Sequence, residues 1–187
     1  MSCTVIYDAC VLYPAPLRDL LLELATSELF SAKWTETIHD EWVRNLLKSR
    51  PELEERLIHT RQLMNKAVPD SLVENFESLI DGLELPDAND RHVLAAAIKC
   101  NAQIIVTSNL KDFPTESLNP YGIEAMHPDE FIEHQFGLSP GAVIAAAKRI
   151  RERLKNPRRS TEEYLETLAS LGLPVTADLL RGFSELI

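Results

Sequence analysis

Apolar positions along the chain switch repeatedly between short consecutive runs and a three-and-four spacing, which predicts short strands alternating with helices. The stretch Ser2 to Tyr7 is the first strand, carried by Val5 and Ile6, with Asp8 where it ends. Ala9 to Tyr13 reads as a tight connector; Pro14 and Pro16 then mark a helix start, and LRDLLLELATSEL fills that helix. Phe30 to Trp34 is a second short strand. Thr35 is placed to cap the helix ETIHDEWVRNLLKS, and because Ile38 stands where a capping box would need an acid or amide, the cap rests on the hydroxyl alone. Pro51 opens PELEERLIHTRQLMNKA, amphipathic through Leu53, Leu57, Leu63 and Met64. A further helical stretch runs from Asp70 or Ser71 to about Ile80, before Gly82 and Pro86.

The next segment, LPDANDRHVLAAAIKCNAQIIVTSNLKDF, combines all three textures. Asp90 begins a helix with Val93, Leu94, Ala97 and Ile98 at helical spacing, so a carboxylate shares the stripe of Leu94 and Ala97. Carboxylates are seldom placed inward unless paired, hydrogen-bonded or bound to a cation. Gln103 to Thr107 is a buried strand, followed by the polar turn Ser108 to Asp112. Gly122 to Met126 is a last edge strand and Pro128 to His134 a short helix. Near Gly137 the texture changes to three helices, GAVIAAAKRIRERLK, STEEYLETLASLG and PVTADLLRGFSEL, divided by Asn156 to Arg159 and by Gly172 to Pro174.

The alternation predicts an α/β fold, a three-layer α/β/α sandwich around a central parallel sheet over residues 1–136, with a helical C-terminal extension over 137–187. Ligands in such sheets gather at the carboxyl ends of the strands. Asp8, the turn holding Asn109 to Asp112, and the helices bearing Glu41 and Asp90 all belong near that rim, so four scattered acids are expected to meet.

Composition narrows the class. At 187 residues, 45% hydrophobic and 26% charged, the chain suits one ordinary globular domain with a small appendage. The N-terminus has neither a basic leader nor a small-residue cleavage site, and no apolar run is long, so neither a signal peptide nor a membrane span is expected and the cytoplasm is the expected compartment. Cys3, Cys10 and Cys100 lack Cys-x-x-Cys spacing and read as reduced, small core residues. A formal charge of −10 argues against a polyanion partner, but Lys148 to Arg159 holds seven of the 19 Lys and Arg against one Glu. That window reads first as a solvated helix face and second as a phosphate or partner contact.

The segments VIYDACVLYP, WTETIHDEWVRNLL, LPDANDRHVLAAAI and IIVTSNLKDFP, with their spacing, resemble the PIN domain family, metal-dependent ribonucleases that include the VapC-type toxins of toxin-antitoxin systems. The resemblance covers residues 4 to about 135, and its last two segments in tandem are the most specific. It implies that Asp8, Glu41 and Asp90 are catalytic, metal-holding acids, with Asn109 or, preferred, Asp112 completing the set. Cys10 stands where relatives commonly carry a small polar residue. The helical tail is similar to the extension of a subset of VapC-like proteins. The resemblance further implies hydrolysis of RNA phosphodiester bonds with Mg2+ or Mn2+, RNA as substrate, and an antitoxin protein and a second copy of the chain as partners.

The chemistry is coherent with these residue types. A cation held by carboxylates activates water and absorbs charge on the phosphoryl oxygens, and crowded carboxylates should push at least one pKa upward when no metal is bound. Thr107, Ser108 and Asn109 are candidates for contact with metal-bound water or a phosphate oxygen, or for satisfying the turn. Plainer readings compete: Asp87 starts a helix, Glu36 favours a helix dipole, Asp40 is solvated. The five histidines show no zinc-hydrolase spacing. A different class, a PIN-like module that binds protein or RNA without cutting, is the alternative, and a phospho-receiver domain is disfavoured because no aspartate follows the second strand.

Overall fold

The structure is a computed structural model, and it describes residues 3–187. In chain order its main elements are β1 (Cys3–Tyr7), α1 (Ala9–Leu12), α2 (Ala15–Ala25), β2 (Phe30–Lys33), α3 (Glu36–Ser49), α4 (Glu54–Ala67), α5 (Glu77–Ile80), α6 (Arg91–Lys99), β3 (Ile104–Val106), α7 (Thr115–Leu118), β4 (Glu124–Met126), α8 (Pro128–Leu138), α9 (Pro140–Arg153), α10 (Thr161–Ser170) and α11 (Pro174–Arg181). Ser2, the expected first residue of β1, lies outside the described residues.

The four strands form one parallel sheet in the order β2-β1-β3-β4. Val5 pairs with Ile104, and Ile104 pairs with Glu124. Successive strand residues point to opposite faces, so the complete burial of Val5, Ile6 and Tyr7 in sequence means that both faces of β1 are covered. Helices therefore flank the sheet on both sides, giving the expected three-layer sandwich, with β4 at one edge. Tyr7 anchors the centre: its ring stacks on Trp34 at 6.3 Å and its hydroxyl donates to the Leu21 carbonyl. No helix among the described residues is long and apolar enough to cross a membrane.

Several expectations need correction. Ala9 to Tyr13 is no connector; Ala9–Leu12 forms the single turn of α1 with Tyr13 as its C-cap, because the Asp8 side chain accepts from the Ala9 amide and caps it. The expected helix from Asp70 or Ser71 does not form before Glu77, and only α5 is helical. Asp70 and Asn75 have positive φ, and the Trp34 backbone takes Ser71 O and Val73 N as hydrogen-bond partners, so pairing beyond β2 overrides the helical period. Leu57 and Met64 of α4 are buried, but Leu63 is 51% exposed, one residue off the packed face. The α2 helix stops at Ala25, short of the expected Leu29, and α8 continues to Leu138. The three cysteines are free, as expected, yet all are half-buried at the margin of the core.

Candidate functional site

Asp8 ends β1, 5% exposed. Its Oδ1 accepts from the Ala9 amide at 2.7 Å, and its Oδ2 accepts from the Thr107 hydroxyl at 2.8 Å and the Cys10 thiol at 3.0 Å. Burial pushes its pKa upward and the charge of Glu41 adds to that; the three hydrogen bonds favour the anion and only partly offset it. Cys10 thus supplies the hydrogen bond that a small polar residue would otherwise make. Its own pKa is pushed up to about 12 by burial and by the Asp8 charge, so it remains a thiol and a donor.

Glu41 is placed by α3, whose position is set by a polar chain inside the core. The Thr35 hydroxyl accepts from the Ile38 amide, as the cap predicts. One turn on, Trp42 Nε1 donates to His39 Nδ1 at 3.0 Å, His39 Nε2 lies 3.0 Å from Asn65 Oδ1, and Trp34 Nε1 donates to the same oxygen at 2.8 Å. Since His39 Nδ1 accepts, the proton sits on Nε2 and the ring is neutral; burial lowers its pKa accordingly. This ties α3 to α4 and to the end of β2. The Arg18 guanidinium lies 4.7 Å over the Trp42 ring. Glu41 Oε1 is 3.0 Å from His92 Nε2 on α6; an ionised carboxylate only accepts, so Nε2 carries the hydrogen. His92 is buried, and its Nδ1 has no partner among the described residues.

Asp90 closes a 3-10 turn, Ala88–Asp90, and stands at the start of α6 without accepting any capping bond. Asp87 does the capping of that turn, accepting from the Asn89 amide at 2.8 Å. The Asp90 pKa is pushed up to about 6, first by burial and then by the charges of Asp8, Asp87, Asp112 and Glu41. Glu36 and Asp40 are directed away, both paired with Arg61.

Asp8, Glu41 and Asp90 line one cleft of about 360 Å³ at the carboxyl ends of the strands, with Asn109 on the same wall. Asp112 is half-buried in the turn Leu110–Asp112 and is not on that wall; it reaches the site only through its charge on Asp90. Thr107 is fully buried, its hydroxyl bonded to Asp8 and accepting from the Asn109 amide, so within the protein it holds the site together. The exposed Ser108 donates its amide to Cys10 Sγ at 3.3 Å. Among the described residues no three His, Cys, Asp or Glu side chains form a ready-made metal cage. A larger groove of about 560 Å³ beside α2, α4 and α9 shares no residue with the cleft and holds none of its acids.

Sequence reasoning alone does not find His92, Tyr13 and Arg44 as members of this site. His92 is two residues from Asp90, and Arg44 lies one turn from Glu41 on α3; those spacings are the available signal.

The chain matches the family described as PIN domain over residues 4–111 and the family described as VapC50 C-terminal domain over residues 128–182. It is 42% identical over 79 residues to the Mycobacterium tuberculosis protein named "Putative ribonuclease VapC50", a match taking in 42% of this chain and 47% of that protein. The aligned stretch is thus just under half of that relative's length. No solved structure matches the chain. With the PIN match covering more than half of the sequence and a parallel sheet carrying three acids at its carboxyl rim, the chain belongs to the PIN domain family.

Proposed function

We propose that this chain is a VapC-type endoribonuclease that hydrolyses RNA phosphodiester bonds with Mg2+ or Mn2+, and that it is the toxin of a type II toxin-antitoxin system restrained by an antitoxin protein. Asp8, Glu41 and Asp90 are the acids that hold the ion in this reading, with Asp112 as a more distant fourth charge. One observation carries it. Three carboxylates far apart in sequence line a single cleft, and among the described residues no Lys or Arg forms an ion pair with any of them. The printed name of the Mycobacterium tuberculosis relative points the same way.

The donor set suits a hard cation. Carboxylates and the Asn109 amide oxygen are hard ligands, and the protonated Cys10 offers no thiolate. Mg2+ keeps several waters and binds through only one or two carboxylates, so acids spread around a wet cleft fit it better than a closed cage would. When bound, such an ion supplies an activated water and a sink for charge on the phosphoryl oxygens. The protein's own part is placement. Thr107, Cys10 and the Ala9 amide fix Asp8, His92 fixes Glu41, and Asp90, which accepts no capping bond, has the most to gain from an added positive charge.

The test is cleavage of a mixed RNA pool by protein freed of any copurifying inhibitor, with Mn2+ or Mg2+ and with chelator. Metal-dependent cutting that disappears in folded Asp8→Asn and Asp90→Asn proteins is expected. Persistent absence of cutting by the wild type would replace the enzyme with a module that binds without hydrolysis. Growth arrest on expression, relieved by the product of a small neighbouring gene, tests the toxin assignment; normal growth without that product removes it.

A further inference from the structure

Two residues on the wall of the acidic cleft take no part in holding its acids. Tyr13 follows α1, with its amide donating to the Ala9 carbonyl at 3.0 Å and Pro14 after it, so its backbone is fixed on both sides. The residue is nevertheless 39% exposed, and among the described residues no aromatic ring packs against it. Arg44 projects from α3 one turn after Glu41 and is exposed. Exposed Arg50 pairs with Glu52 and exposed Arg181 with Glu162 and Asp178, whereas exposed Arg56, Arg158 and Arg159 form no ion pair among the described residues; what sets Arg44 apart is its place on the cleft. Arg44 shares a cleft with three carboxylates, yet among the described residues it forms an ion pair with none.

A guanidinium free of ion pairs and a part-exposed aromatic residue on one cleft are a matched pair of contacts for one ligand chemistry. Guanidinium forks bind phosphate oxygens, and aromatic rings stack on nucleobases of any identity. Stacking requires a base free of its helix, because a duplex buries the faces of its bases. A cleft of about 360 Å³ sits at the small end of ligand pockets, enough for about one nucleotide unit and too small for a helix.

We propose that Tyr13 and Arg44 form a nucleotide subsite of this cleft, in which an unpaired RNA base stacks on the Tyr13 ring while Arg44 holds a flanking phosphate. The strand is consequently single where it meets the acids. This rests on the ribonuclease reading and adds to it the residues that grip the strand.

The test uses fluorescence anisotropy of a short, labelled single-stranded RNA of mixed sequence, in Mg2+, with the full chain carrying Asp90→Asn so that binding is read without cutting. Tyr13→Ala is expected to weaken binding about tenfold without changing its salt dependence, while Tyr13→Phe keeps near-parental affinity because the ring face is retained. Arg44→Ala should weaken binding and flatten the slope of log affinity against log salt by about 0.7, the value for one lost phosphate contact on a single strand, and Arg44→Lys should restore that slope. The same RNA annealed to its complement should bind more weakly and be indifferent to Tyr13→Ala. Variants that bind like the parent, or a duplex that suffers equally from Tyr13→Ala, overturn the subsite and leave the ribonuclease reading standing. A parent that binds no RNA, together with a wild type that cuts none, overturns both.

Discussion

Asp8 and Asp129 are buried to nearly the same extent, 5% and 7% exposed, and each carboxylate accepts three hydrogen bonds, yet their surroundings are opposite in kind. Asp129, on α8, accepts from the Val175 amide at 3.0 Å, the Thr176 amide at 2.8 Å and the Thr176 hydroxyl at 2.7 Å. These are first-turn donors of α11, whose own N-cap is Leu173 and cannot serve. Asp129 thus caps a helix that it does not belong to and fastens the C-terminal helices to the body. Asp8 also caps a helix turn, but it opens on a cleft shared with Glu41 and Asp90. Depth and hydrogen-bond number are alike for the two acids; the company of other acids is what differs.

The comparison can be broken at several points. The largest effect expected is on catalysis: Asp8→Asn and Asp90→Asn should each lower RNA cleavage about a hundredfold or more, while Asp129→Asn protein that is folded should cleave near the wild-type rate. Equal losses in all three would erase the distinction. Next, Asp129→Ala strands three donors and removes a cap, so urea melts should show about 3 kcal/mol less stability; an unchanged midpoint would mean that α11 finds another cap. His92→Ala should weaken Mn2+ binding by about tenfold, read by electron paramagnetic resonance of free Mn2+, with His92→Gln recovering part because its amide can still donate to Glu41. Binding unaffected by His92→Ala would make the contact with Glu41 idle.

The smallest effect is a pH dependence. Asp90 titrates at about 6 in the folded protein against a usual 3.8, so the metal-free fold holds its proton more tightly than the unfolded chain does. Its contribution to stability is intact below about pH 4 and is lost as pH rises through about 6. Asp90→Asn should therefore stabilise the metal-free protein at about pH 7.5 and cease to do so at about pH 4, and added Mg2+ should narrow the gap at the higher pH. A gap that is widest at the lower pH would reverse the sign and refute the crowding. Asp129→Asn should show no such Mg2+ response.

The sheet and its rim are legible in the sequence because the strands are short apolar runs followed by polar turns and because Asp8, Glu41 and Asp90 sit at motif positions. Asp70 to Ile80 misleads because apolar spacing is silent on tertiary pairing: Trp34 offers a backbone amide and carbonyl that extended Ser71 to Val73 can satisfy. The turn of α1 escapes notice for a related reason, since it exists through the cap that Asp8 provides. From the sequence, Asp112 is preferred to Asn109 as the fourth member; in the fold it is Asn109 that lines the cleft, and Asp112 is felt there through its charge on Asp90, because motif spacing is silent on which way the turn directs its side chains. Tyr13 and Arg44 are invisible as a pair because only the packing of α1 against α3 brings their surroundings together.

The run of cations from Lys148 to Arg159 reads differently once Glu23 is placed. That glutamate on α2, with its side chain 12% exposed, pairs with both Arg149 and Arg153, and Arg151 turns to the carbonyl of Arg159. Two of the seven cations are thereby engaged as mortar between the body of the fold and its tail. A chain trimmed ahead of α9 would surrender that mortar and return Glu23 to water as a bare negative charge on the flank of α2.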